Sequence, residues 1–194
     1  MKNRIILIII GVLFIAALLI SVKIYGRLSD KVDIPTTSSA ESTEDESRAD
    51  TEEVSAETAA DFYAFDFNGK KVTLSEKAGK PVVVNFWATW CPPCKSELPH
   101  FEKLYKELGG EVEFMMVDLT DGQRETADIV KDFVKENGYT FPVYCDTDSS
   151  AAAAYEVYSI PVTLFIDKDG RLSDMRIGAL SESALRSGIE KIKG

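Results

Sequence analysis

The hydropathy pattern divides the chain into three stretches. Ile5–Val22 is an unbroken run of 18 residues without a charge, rich in Ile and Leu. As a helix rising 1.5 Å per residue it would span roughly 27 Å, close to a bilayer's hydrocarbon thickness. A cleaved signal peptide is the competing reading, but its apolar region is usually about 7–15 residues and ends at a small-residue cleavage site. Ala16 and Ala17 lie inside the run, no A-x-A stands near Ser21–Leu28, and no cysteine sits close behind to carry a lipid. The pattern predicts a transmembrane signal anchor over residues 5–24, behind a short cytoplasmic N-terminus of residues 1–4. Lys2 and Arg4 on one side nearly balance Lys23, Arg27 and Lys31 on the other, so charge alone does not orient it.

From Ile34 to Ala60 the apolar positions almost vanish. The stretch is rich in Ser, Thr, Ala and Glu, with eight acids against the single base Arg48, which amounts to −7 of the chain's net −10. Such a segment cannot bury enough apolar surface to offset its ordering entropy. It predicts a flexible, self-repelling acidic linker over residues 25–60; 27 residues of coil reach about 30 Å root-mean-square.

Residues 61–194 alternate strand and helix patterns. Phe62–Phe67 and Lys71–Leu74 flank Asn68-Gly69, a hairpin turn signal. Pro81–Ala88 is a continuous apolar strand of the kind buried on both faces. Ser96–Leu108 has helical spacing through Leu98, Phe101, Leu104, Tyr105 and Leu108, and stops at Gly109-Gly110. A strand over Glu111–Asp118, an amphipathic helix over Arg124–Glu136 and a short strand over Phe141–Cys145 follow. A small Ala-rich helix covers Ser149–Tyr155. Val162–Asp167 and Arg171–Gly178 form a second hairpin, and Glu182–Ile192 is a closing helix. The order predicts an α/β domain, with helices on both faces of a mixed central sheet.

Composition narrows the function. A chain of 194 residues with 45% hydrophobic side chains can build one real core, not two. Its acidic balance and lack of a Lys/Arg cluster argue against nucleic acid as a partner. Three cysteines and one histidine exclude a disulfide-dense miniature domain and most zinc folds.

The chemistry sits at Trp90-Cys91-Pro92-Pro93-Cys94-Lys95. C-x-x-C alone serves zinc, haem attachment or redox chemistry. Zinc would need two further ligands, with only Cys145 and His100 spare, and haem attachment would need histidine where Lys95 stands. The pair instead follows a buried strand and opens a helix, the redox placement. A cysteine at a helix N-terminus sees the positive end of the dipole and unpaired N–H groups, which stabilise its thiolate. Cys91 is therefore the expected exposed nucleophile and Cys94, nearly one turn on, the more buried resolving thiol. Pro92 and Pro93 are tolerated because first-turn N–H groups lack intrahelical partners.

Val84-Asn85-Phe86-Trp87-Ala88-Thr89-Trp90-Cys91-Pro92-Pro93-Cys94-Lys95 resembles the active-site strand and helix of thioredoxin-like proteins. More narrowly, Asp61–Gly194 is similar to the membrane-anchored, extracytoplasmic TlpA/ResA-like thiol-disulfide oxidoreductases. That resemblance implies a thioredoxin-like fold with an N-terminal β-hairpin and an inserted helix-strand element. It also implies a catalytic domain on the extracytoplasmic side of the cell membrane. Ile160-Pro161 matches the family's cis-proline loop, in which the Ile160 backbone would meet an extended substrate segment beside Cys91. Asn85 stands where many thioredoxins carry a buried aspartate that relays protons. Asparagine cannot titrate, and Glu97 matches an acid of the ResA-like subgroup that could shuttle the Cys94 proton.

The expected catalytic residues are thus Cys91, Cys94, Glu97 and Pro161, with Trp90, Pro92, Pro93 and Ile160 contacting substrate. No cofactor and no metal are expected. His100 reads as a surface or packing residue, Cys145 as a small buried hydrophobe, and Met115-Met116 as core. Trp87 and Trp90 are expected to shape the apolar surround of the pair. The leading reading is a monomeric membrane-tethered reductant of client disulfides. The resemblance implies clients such as apocytochrome c, cell-envelope proteins or methionine sulfoxide reductase. It also implies a membrane thiol-transfer protein as electron donor, related to those of cytochrome c biogenesis. The alternatives are a disulfide-forming oxidase on the same scaffold and a non-enzymatic metal carrier.

Overall fold

A computed structural model describes residues Thr58–Gly194. The anchor expected over 5–24 and all but the last three residues of the linker lie outside the described residues. Among the described residues, no helix is long and apolar enough to cross a membrane.

The elements follow the hydropathy pattern closely. In chain order they are β1 (Tyr63–Phe65), β2 (Lys71–Thr73), β3 (Val82–Trp87), α1 (Pro92–Leu108), β4 (Glu113–Asp118), α2 (Ala127–Glu136), β5 (Val143–Cys145), α3 (Ser150–Ala154), β6 (Val162–Ile166), β7 (Leu172–Ile177) and α4 (Glu182–Lys193). Seven strands form one mixed sheet in the order β2-β1-β5-β4-β3-β6-β7. β4 pairs parallel with both β3 and β5, while β6 runs antiparallel to β3. Both expected hairpins close antiparallel, β1 on β2 and β6 on β7.

Three boundaries differ by three residues or more from the spans that hydropathy marks, each for a local reason. Among the described residues, pairing already includes Thr58, ahead of the expected Asp61: Thr58 bridges Arg171, and Ala59 N–H donates to the Gly170 carbonyl at 2.9 Å. α1 starts at Pro92, four residues before the span marked by apolar spacing, and both prolines take helical geometry at its first two positions, where the placement of the cysteine pair had put them. α2 starts at Ala127, three residues after the expected Arg124. Asp121 Oδ1 accepts from the Gln123 and Glu125 N–H groups and holds that segment as a loop, until Thr126 caps the helix through Ile129 N.

Period-two alternation sorts the strand residues onto two faces. On β3, Val82, Val84 and Phe86 join Met115 and Val117 of β4 on one face. Val83 and Trp87 join Phe114 and Met116 on the other, beneath α1, α2 and α4. Helices cover both faces as expected, though the first carries only the five-residue α3. Met115 and Met116 are fully buried, one on each face.

α4 packs closely against β6. A Cβ on Gly188 would stand 2.3 Å from the Phe165 ring. Gly188→Ala is therefore expected to lower stability by about 1–3 kcal/mol through overpacking, measured as a reduced denaturation midpoint. An unchanged midpoint would mean that α4 shifts freely on the sheet.

Candidate active site

Strand β3 delivers Ala88-Thr89-Trp90 to the N-terminus of α1, where Cys91 is the capping residue. Cys91 and Cys94 are joined in a disulfide with Cα atoms 5.3 Å apart. The Cys94 N–H donates to Cys91 Sγ at 3.2 Å. Pro92 and Pro93 have no N–H to add, so this is the first backbone donor of the helix to reach that sulfur. Cys91 keeps 3% of its surface and Cys94 none, which preserves their expected order. Cys91 is nonetheless far less exposed than its expected role suggests, because the Ile160 loop closes over it. The Ile160 carbonyl oxygen lies 3.9 Å from Cys91 Sγ.

The Ile160–Pro161 bond is cis. Pro161 is buried, and its carbonyl accepts from Gly178 N–H at 2.8 Å, tying the loop to the end of β7. A depression of about 400 Å³ opens beside the disulfide. Cys91 and the four expected contact residues Trp90, Pro92, Pro93 and Ile160 line it. Tyr158, 91% exposed, joins them and was not foreseen. Its signal was weak, an aromatic between Val157 and Ser159, two residues before Ile160. Trp90 lies at the surface of this depression, whereas Trp87 is fully buried beneath the pair against Phe133.

Strand parity points Asn85 toward α1, and this brings it to Glu97. Asn85 Nδ2 donates to Glu97 Oε1 at 2.8 Å and to Thr163 Oγ1 at 3.1 Å. Leu180 N–H donates to Glu97 Oε2 at 2.7 Å. Glu97 has no exposed surface and, with α1 starting at Pro92, lies in the second turn of the helix. Burial pushes its carboxyl pKa above the ordinary range, against the lowering effect of the Leu180 and Asn85 donors and of His100. His100 is half-buried and binds the Leu180 carbonyl through Nδ1 at 3.0 Å. Lys95 is exposed.

Cys145 is buried on β5 opposite Asp118 of β4. Burial, its largest perturbation, raises the thiol pKa, so it behaves as the packing residue expected and not as a reactive thiol. Among the described residues, no group of three or more His, Cys, Asp and Glu side chains is placed to hold a metal ion. Sequence reasoning missed Thr89, Asp118 and Glu125, which meet beneath the active-site segment. No local pattern marks them, since 36 residues separate Thr89 from Glu125.

A cysteine pair at a helix start, a cis-proline loop over its outer sulfur and a buried acid nearby suit disulfide exchange with a protein segment. Known proteins agree. Residues 56–175 match the AhpC/TSA family. Thiol-disulfide oxidoreductase ResA of Bacillus subtilis is 38% identical over 136 residues, covering 70% of this chain and 74% of its own. The crystal structure of StoA from Bacillus subtilis superposes with a TM-score of 0.59 at 27% identity, over 67% of this chain and 96% of that one. The pneumococcal exposed lipoprotein thioredoxin Etrx1, from Streptococcus pneumoniae, gives 0.60 at 30% identity, over 68% and 99%. The chain therefore belongs to the AhpC/TSA family of thioredoxin-like proteins, and it is a thiol-disulfide oxidoreductase whose redox pair is Cys91–Cys94.

Proposed function

We propose that the protein is a membrane-tethered, extracytoplasmic reductant of protein disulfides. The reduced Cys91 thiolate attacks a client disulfide, forming a mixed disulfide and expelling one client thiolate. Cys94 then attacks the Cys91 sulfur, which releases the second client thiolate and leaves the Cys91–Cys94 disulfide. Two electrons pass from the pair to the client. Glu97 is the base that takes the Cys94 proton in the second step, and Pro161 sets the Ile160 backbone beside the attacking sulfur. Trp90, Pro92 and Pro93 supply apolar contact to the client segment.

The uncharged run Ile5–Val22 and the acidic stretch behind it support the tether. The extracytoplasmic side is supported by a relative that is by name an exposed lipoprotein. Outside the cytoplasm the pair needs an electron source, and a membrane thiol-transfer protein fills that role. Apocytochrome c, cell-envelope proteins and methionine sulfoxide reductase are the client classes to test, with the enzyme acting as a monomer.

The observation that carries the direction is Glu97, buried within one turn of Cys94. A carboxylate there disfavours the thiolate form, and the pair of prolines withholds two backbone donors. Strong oxidants work oppositely, by stabilising their reduced form. Equilibrating the full chain with defined thiol buffers tests this. A potential near about −270 mV is expected of a reductant; a value near about −120 mV would turn the assignment to disulfide formation.

A further inference from the structure

A buried acidic cluster lies under the active-site segment, and the exchange reaction gives it no task. Asp118 ends β4 with the strand parity that faces α1, and it has no exposed surface. Thr120 Oγ1 donates to Asp118 Oδ1 at 2.7 Å, whereas Oδ2 has no partner. Glu125, equally buried, is brought close to Asp118 through Thr89, which it binds and which stands two residues after Trp87, the register partner of Asp118. Both Glu125 oxygens are taken by Thr89: the backbone N–H donates to Oε1, and the Oγ1 hydroxyl to Oε2 at 2.6 Å. Asp121 and Cys145 are the other titratable groups facing the pair.

Two neighbouring carboxyl groups with no exposed surface strongly disfavour both being ionised at once. One proton on Asp118 Oδ2 removes a charge and supplies the donor that the orphaned oxygen lacks. We propose that Asp118 and Glu125 share one proton as a carboxylic acid–carboxylate pair that positions the nucleophile: neutral Asp118 donates through Oδ2 to Glu125, whose carboxylate holds both donors of Thr89, two residues ahead of Cys91. In accord with this, burial, with Glu125 adding to it, raises the Asp118 pKa to about 9.

The loop carrying Glu125 is itself braced. Asp121 accepts from the Gln123 and Glu125 N–H groups, and Gly122 N–H donates to the Glu125 carbonyl. The neighbouring Arg124 guanidinium lies 3.7 Å from the centre of the Trp90 ring. The loop between β4 and α2 thus grips two consecutive residues, Thr89 and Trp90, immediately before Cys91. It also fixes one negative charge near the nucleophile, which opposes thiolate formation. This role is independent of whether the enzyme reduces or forms client disulfides.

The test uses the full chain in detergent, with two readouts: kcat/KM on a reference protein disulfide, and the Cys91 thiol pKa from thiolate ultraviolet absorbance. Glu125→Gln removes the charge and one acceptor for Thr89. It is expected to lower kcat/KM about tenfold or more by loosening the nucleophile's position, and to lower the thiol pKa. Asp118→Leu, which removes the donor, is expected to lose rate similarly. Asp118→Asn keeps an acceptor for Thr120 and a donor for Glu125, so it should restore both wild-type values. An Asp118→Asn protein whose thiol pKa falls would show that Asp118 is an anion and overturn the shared proton. A Glu125→Gln protein with wild-type rate and thiol pKa would overturn the positioning role. Should Glu125→Gln fail to fold, Thr89→Val reads the same link, since it removes the Oγ1 donor alone. A lower kcat/KM is then expected, and an unchanged one would overturn the proposal.

Discussion

Cys91→Ser is expected to lower turnover of insulin disulfides by about 10⁴-fold or more, to the rate of the buffer thiol alone. A serine hydroxyl is not ionised near neutral pH and cannot form the mixed disulfide. Neither remaining cysteine can substitute. Cys94 has no exposed surface, and Cys145 is buried at 2% exposure with its thiol pKa pushed up by that burial. Cys94→Ser is expected to fail differently. Its Cys91 still attacks, but nothing resolves the product, so a covalent enzyme–client adduct accumulates and runs as one band without reductant. Insulin reduction at the wild-type rate by Cys91→Ser would sink the assignment of the nucleophile. Accumulation of the adduct with Cys91→Ser in place of Cys94→Ser would reverse the two roles.

Glu97→Gln is expected to slow resolution of the mixed disulfide by about 10²-fold and to flatten its pH dependence. Burial raises the Glu97 pKa, so at low pH the side chain is protonated and cannot accept the Cys94 proton. In the wild type, resolution should speed up as pH rises through that raised value and the carboxylate forms. The glutamine variant has no such group, and its profile should lack the rise. Its amide oxygen can keep the Asn85 contact at Oε1, while its NH₂ meets the Leu180 N–H that Oε2 now accepts. Some loss of stability is therefore also expected, and thermal melting separates it from the kinetic effect. A variant that melts lower but retains the wild-type pH profile would reduce Glu97 to a tie between α1 and the Leu180 segment.

Much of this was legible residue by residue. Asn68-Gly69 marks the first hairpin, and the apolar run Pro81–Ala88 reads as a strand covered on both faces. The Cys91–Cys94 spacing at a strand-to-helix junction points to redox chemistry, and four of the residues lining the depression beside Cys91 were named from sequence. The two prolines were expected in the first turn of α1 and stand there. The misplaced start of α2 has a particular cause: Asp121 captures N–H groups that an extrapolated α2 would have used internally. The limited exposure of Cys91 was not legible, since it depends on the approach of Ile160, 69 residues away.

By itself, the sequence determined the order and kind of the elements and the redox pair. Those properties arise from interactions spanning a few residues: turn geometry, capping, alternation and helical spacing. Only the tertiary structure decided the environments of the acids. Glu97 is one acid among several on α1 by sequence, and it becomes a buried carboxyl because strand parity aims Asn85 at it and Leu180, 83 residues away, closes over it. Asp118 and Glu125 are two ordinary acids until β4 and the following loop turn both inward under Thr89. A carboxylate's chemistry is set by its desolvation and its partners, and both are products of long-range packing that no local pattern encodes.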